Sequence, residues 1–118
     1  MGAPVRPGLV APWRLSSREK RFAVALLTRR TNLWLFRTDQ KRRAGDFVVV
    51  DMSSPDPVRR RVWVVDLKCG AELKVGGGGA GMQLLNAPLA VEAVAGLSSS
   101  PPVLAVGDGV VLLEALGV

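Results

Sequence analysis

Apolar residues recur along this chain at two intervals, and the switch between them marks its elements. From Ser16, the positions Phe22, Ala25 and Leu26 follow a helical period that runs to about Arg30. Ser16 and Glu19 have the spacing of a capping box, in which the hydroxyl accepts the third helical N–H and the carboxylate accepts the N-cap N–H. The period then shortens. Leu33-Trp34-Leu35-Phe36-Arg37 is short, apolar and aromatic and predicts a strand. A polar turn from Asp39 to Gly45 leads into the β-branched segment Asp46 to Met52, closed by Ser53, Ser54, Pro55 and Pro57, and a further strand spans Arg61 to Lys68.

Beyond the four glycines 76–79, a helix is expected from Ala80 to Leu97, broken or restarted at Pro88 with Asn86 as a cap. Pro101 and Pro102 introduce a short strand, Val103 to Val106, and Asp108 caps a last helix ending at Gly117. Residues 1–15, with Pro4, Pro7 and Pro12, have no period and read as an arm; residues 16–118 read as one domain. The order helix, three strands, helix, strand predicts an α/β sandwich (α-β-β-β-α-β) around a central mixed sheet, followed by the last helix.

The second and third strands form the natural antiparallel hairpin, with Asp56 at its centre. In the symmetric register Asp46 faces Asp66. Strand alternation places Asp66 and Lys68 on one face with Val62 and Val64, and Trp63, Val65 and Leu67 on the other. Two facing carboxylates repel, and a divalent cation offsets that directly; Mg²⁺ takes a few carboxylate oxygens and keeps water positions open for a phosphate. A lysine two residues along is placed to position a water or to stabilise charge developing on phosphate oxygens.

Charge and composition narrow the chemistry. The 118 residues carry 16 Lys and Arg against 10 Asp and Glu, net +6, with the cations clustered, and this favours an anionic partner such as nucleic acid. There is no His and one Cys, which excludes His-based triads, His- or Cys-rich zinc sites and an internal disulfide framework. Catalysis, if present, runs on carboxylates, lysine and a hard metal. Cys69 reads as a small buried residue, and Trp34 and Trp63 as core. No apolar run approaches the roughly 20 residues that span a bilayer, so no membrane role and a cytoplasmic site of action are expected. The glycine run lacks the Gly-Lys-Ser/Thr ending of a P-loop.

Gly45-Asp46, nineteen residues, then Asp66-Leu67-Lys68 resembles the PD-(D/E)XK nuclease superfamily, and the element order from Ser16 to Val106 is similar to its core. The resemblance implies a restriction endonuclease-like fold, Mg²⁺ or Mn²⁺ held by Asp46 and Asp66, and Lys68 assisting phosphodiester hydrolysis. It also implies supporting roles for Glu19 on the first helix and Gln83 early in the second. Gly45 stands where the family has Pro, and the literal Pro55-Asp56 pair falls in the loop, away from Asp66. Asp51 is expected on the opposite face.

Simpler roles exist for several of these residues: Glu19 as the capping-box partner, Asp46 as a turn residue, Asp66 and Lys68 as a solvated salt bridge at a strand end. The expected function is a metal-dependent endonuclease acting on DNA in preference to RNA, with Lys74, Arg59, Arg60 and Arg61 as contacts to the nucleic-acid backbone. One such core cuts one strand, which makes a homodimer an expected assembly. A toxin or defence setting, with delivery into a target-cell cytoplasm and a cognate immunity or regulatory protein, is open. The alternative is a non-catalytic nucleic-acid-binding or protein-interaction module on the same fold.

Overall fold

A computed structural model describes residues 14–30, 32–38, 45–68, 92, 94 and 96–118. Helix α1 spans Ser17–Arg29, strands β1 Leu33–Arg37, β2 Phe47–Asp51, β3 Val62–Leu67 and β4 Val103–Gly107, and helix α2 Gly109–Ala115. The expected arm, the polar turn, Cys69 and the helix from Ala80 lie largely or wholly outside the described residues.

The capping box forms as its spacing predicts. Ser16 Oγ accepts the Glu19 N–H at 3.2 Å, and Glu19 Oε1 accepts the Ser16 N–H at 2.8 Å. The buried face of α1 is Phe22, Ala23, Leu26 and Leu27. Ala25, expected on that stripe, is only half-buried, because the helix presents adjacent pairs one turn apart to the sheet.

The sheet has the order β1-β2-β3-β4, antiparallel for the first two pairs and parallel for β3 and β4, and is therefore mixed as expected. Phe47 pairs with Val65, Val48 with Val64, Val49 with Trp63 and Val50 with Val62, the symmetric hairpin register. Alternation then sorts the side chains into two apolar layers. Phe47, Val49, Trp63, Val65 and Leu67 pack with α1 and with Leu112 and Leu116 of the C-terminal segment. Val48, Val50, Val62 and Val64 pack with Phe36 and Val94 on the opposite face. Burying such a valine stabilises the fold by about 1.5–3 kcal/mol, so this central hairpin is the most strongly anchored part of the described chain.

The result is a single α/β domain with a central mixed sheet and both described helices on one face. Asp108 caps α2 as expected, accepting the Val111 N–H at 2.9 Å. No helix among the described residues is long and apolar enough to cross a membrane.

Candidate functional site

The hairpin ladder ends at Phe47, and the chain changes course there. Gly45 has φ +98°, a left-handed conformation that suits glycine and lies far from the φ near −65° that a proline ring imposes. This accounts for Gly at that place. A Cβ on Gly45 would come within 3.0 Å of both Val64 Cγ1 and the Val65 carbonyl oxygen. The turn lets the Asp46 N–H reach the Val65 carbonyl at 2.7 Å, one residue short of Asp66. The Asp46 side chain in turn accepts the Leu67 N–H, with Oδ2 at 2.7 Å.

The Asp46 carbonyl is held as well. It accepts from Thr38 Oγ1 at 3.0 Å, from the Thr38 N–H at 3.3 Å and from Arg37 Nη1 at 3.2 Å. The same Arg37 guanidinium forms an ion pair with Glu19 Oε2 and lies over the Phe47 ring, 5.2 Å from its centre. Arg37 thereby ties the first turn of α1 to the start of β2. Neither Arg37 nor Thr38 was singled out from the sequence, since both act on Asp46 across a turn whose geometry the sequence does not display.

Asp66 and Lys68 follow from β3. Asp66 is buried at 3% exposure inside an otherwise apolar strand. Lys68 Nζ stands 3.3 Å from Asp66 Oδ2, an ion-pair distance, and that oxygen is buried without a hydrogen-bond partner among the described residues. The Lys68 N–H continues the parallel ladder to the Gly107 carbonyl at 2.9 Å.

Burial pushes the Asp46 carboxyl up to about 7; the Leu67 N–H works against this, while the charges of Asp66 and Glu19 and a side-chain hydrogen bond with Asp66 add to it. At Glu19 burial also raises the pKa, but the Ser16 backbone N–H and the Arg37 guanidinium outweigh it and hold the carboxyl below its usual range. Asp46 is thus a carboxyl that holds its proton readily beside the buried Asp66, and Glu19 is a neighbouring carboxylate occupied on both oxygens.

Asp46 and Asp66 carry the oxygen donors that a divalent hard cation takes. The charge of Asp66 is among the causes that raise Asp46, and such an ion would relieve the repulsion between the two carboxylates once both are ionised. Among the described residues no group of three or more His, Cys, Asp or Glu side chains comes together as metal ligands. Glu19 is turned to Arg37 and Ser16. The candidate ligand set is therefore the Asp46–Asp66 pair.

The remaining expected site residues are placed elsewhere or not described. Gln83 and Lys74 lie outside the described residues. Arg59, Arg60 and Arg61 stand at the other end of the hairpin: Arg61 precedes Asp66 by five residues, about 17 Å along the strand. Arg59 is exposed, 3.9 Å from Asp56. Arg60 folds inward, donating to the Ser54 carbonyl at 2.8 Å and the Leu97 carbonyl at 3.0 Å.

In comparisons with known proteins, no family model, curated protein or solved structure matches this chain. What the fold and site define is an α/β domain with a polar, partly buried acid–lysine cluster at one end of a mixed sheet.

Proposed function

We propose that the chain is a metal-dependent nuclease that hydrolyses phosphodiester bonds, in DNA rather than RNA. The observation that carries this reading is the convergence of Asp46, the orphaned oxygen of Asp66 and the Lys68 ammonium at one end of the β2–β3 hairpin. Asp46 and Asp66 would hold Mg²⁺ or Mn²⁺, which when bound supplies Lewis-acid polarisation of a phosphate oxygen and a more acidic water. Lys68 faces the developing negative charge on the phosphate. Asp46, once its proton is displaced, is oriented by the Leu67 N–H. Arg37 fixes the backbone of that carboxylate while occupying Glu19.

A second reading has its own support. Lys68 beside Asp66, Arg37 on Glu19 and a proton retained by Asp46 together compensate the cluster's charge without a metal. A non-catalytic module that binds nucleic acid or a protein partner on the same fold would have this arrangement, and among the described residues it asks for less. The lack of a group of three or more candidate ligand side chains among the described residues also favours this second reading, and the nuclease reading rests on the Asp46–Asp66–Lys68 grouping alone.

Incubation of the purified protein with plasmid and with RNA, in Mg²⁺, Mn²⁺ or EDTA, separates the two. The nuclease reading expects metal-dependent cutting that falls by more than about 10³-fold in Asp66→Ala and Lys68→Ala. No cutting by a folded protein in either metal leaves the binding module. Cutting that survives both substitutions puts the catalytic centre elsewhere.

A further inference from the structure

The outward side of α1 carries a charge pattern that the site does not use. The helix holds four cations, Arg18, Lys20, Arg21 and Arg29, against one acid, Glu19. Glu19 is turned inward to Arg37, so it does not neutralise that side. Arg18, Arg21, Ala25 and Arg29 are spaced three, four and four residues apart and share one helical face. The three arginines are exposed, as is Lys20 beside them, and Arg14 is exposed just before the cap. None of these five cations pairs with an acidic side chain among the described residues. Lys20 and Arg21 also line an open depression with Ser17, Val24 and Ala25.

Position gives this stripe its meaning. Arg37 joins Glu19, in the first turn of α1, to the carbonyl of Asp46, so the leading end of the stripe lies at the end of the sheet that holds the acidic pair. From Arg18 to Arg29 the face extends about 16 Å at a helical rise of ~1.5 Å per residue. We infer that the Arg18–Arg21–Arg29 face of α1, with Lys20 and Arg14, is the track on which a nucleic-acid phosphate backbone docks as it approaches the Asp46–Asp66 end. This rests on the nucleic-acid reading above but not on hydrolysis. Guanidinium groups fit phosphate oxygens through paired N–H donors. A membrane surface fits less well, because the apolar side of α1 is spent on the core, with Phe22 and Leu26 almost wholly buried.

The test is binding of a labelled 20-nucleotide strand and the matching duplex in EDTA, across salt concentrations, with Asp66→Ala as the parent chain. Arg18→Ala/Arg21→Ala should weaken binding to the preferred probe about tenfold or more at moderate salt and lower its log–log salt slope by about two. Arg18→Lys/Arg21→Lys, which keeps both charges on the same face, should leave the slope unchanged. Equal effects of the two pairs, no binding to either probe, or a preference for anionic phospholipid vesicles over both would overturn the proposal. A wild-type chain that never cuts, while binding depends on Arg18 and Arg21, removes the hydrolytic reading and leaves the track standing. Cutting by the wild type together with undiminished binding by the α1 variant removes the track alone.

Discussion

The two ends of the β2–β3 hairpin carry similar residues and treat them in opposite ways. At the loop end Asp51 accepts from the Asn32 amide at 2.8 Å and from the Ser53 N–H at 2.9 Å, and Asn32 is in turn held by Arg30 Nε at 3.1 Å. Burial raises the pKa of Asp51, but the Ser53 and Asn32 donors and the charge of Arg30 win and lower it. Ser98 and Arg60 close that end with further bonds to backbone carbonyls. At the other end Asp46 is pushed up to about 7, and an oxygen of Asp66 has the Lys68 ammonium nearby but no hydrogen-bond partner among the described residues. One end spends its polar groups on stability; the other holds unresolved charge that the well-packed ladder between them tolerates. Such a contrast within a single hairpin marks the strained end as the place to look for chemistry.

The largest expected break of this contrast is Asp46→Asn. A carboxyl raised in the folded state contributes its stability fully below its unfolded value near 3.8, and that contribution is lost as pH rises through about 7. Without metal, the wild type should therefore lose on the order of 3 kcal/mol relative to Asp46→Asn between pH 4 and pH 8, as read from urea unfolding in EDTA. Parallel pH curves for the two proteins would remove the strain from the site end. Next comes Gly45→Ala, which forces a Cβ against the Val65 carbonyl in a left-handed backbone. A loss of about 1–3 kcal/mol is expected, measured by the same unfolding curve, together with weakened metal-dependent cutting as Asp46 shifts.

Asp51→Ala probes the satisfied end. Its effect should be about 1–2 kcal/mol at neutral pH from the two lost donors. Since the folded carboxyl is lowered, that contribution should shrink as pH falls through the acid range, opposite in direction to Asp46. Cutting should be unchanged; a variant that unfolds no more easily but cuts poorly would erase the division between the ends. Arg59→Ala is the smallest. Its side chain is 80% exposed and its ion pair with Asp56 is long, so thermal unfolding should move by no more than about 0.5 kcal/mol.

Much of the frame was legible in the sequence because it depends on neighbours. The capping box of α1 is a local pattern, and the symmetric register followed from two β-branched runs around a loop closed by Pro55 and Pro57. Asp66 and Lys68 could be placed on one face by alternation alone. Asp46 needed the hairpin register as well, and its backbone contacts could not be read because it sits past the last ladder pair, where the left-handed Gly45 redirects the chain. The second engagement of Glu19 was also hidden: the capping box uses one oxygen, and the other depends on Arg37, eighteen residues away. Arg60 looked like a surface contact within a basic run, but its partners at Ser54 and Leu97 make it a brace. Long-range pairings of this kind leave no spacing in the chain to detect.

The hydrogen bond from the Leu67 N–H to Asp46 Oδ2, at 2.7 Å, places a spectroscopic reporter in the site. A backbone amide proton shifts with the charge of the carboxylate it donates to, so in a ¹H–¹⁵N spectrum the Leu67 resonance should follow the ionisation of Asp46, and its displacement by a cation, without any substrate or label. The Val65 and Lys68 amides supply the contrast: Val65 pairs with Phe47 in the antiparallel ladder, the Lys68 N–H donates to the Gly107 carbonyl on the parallel side, and both should move far less over the same titration.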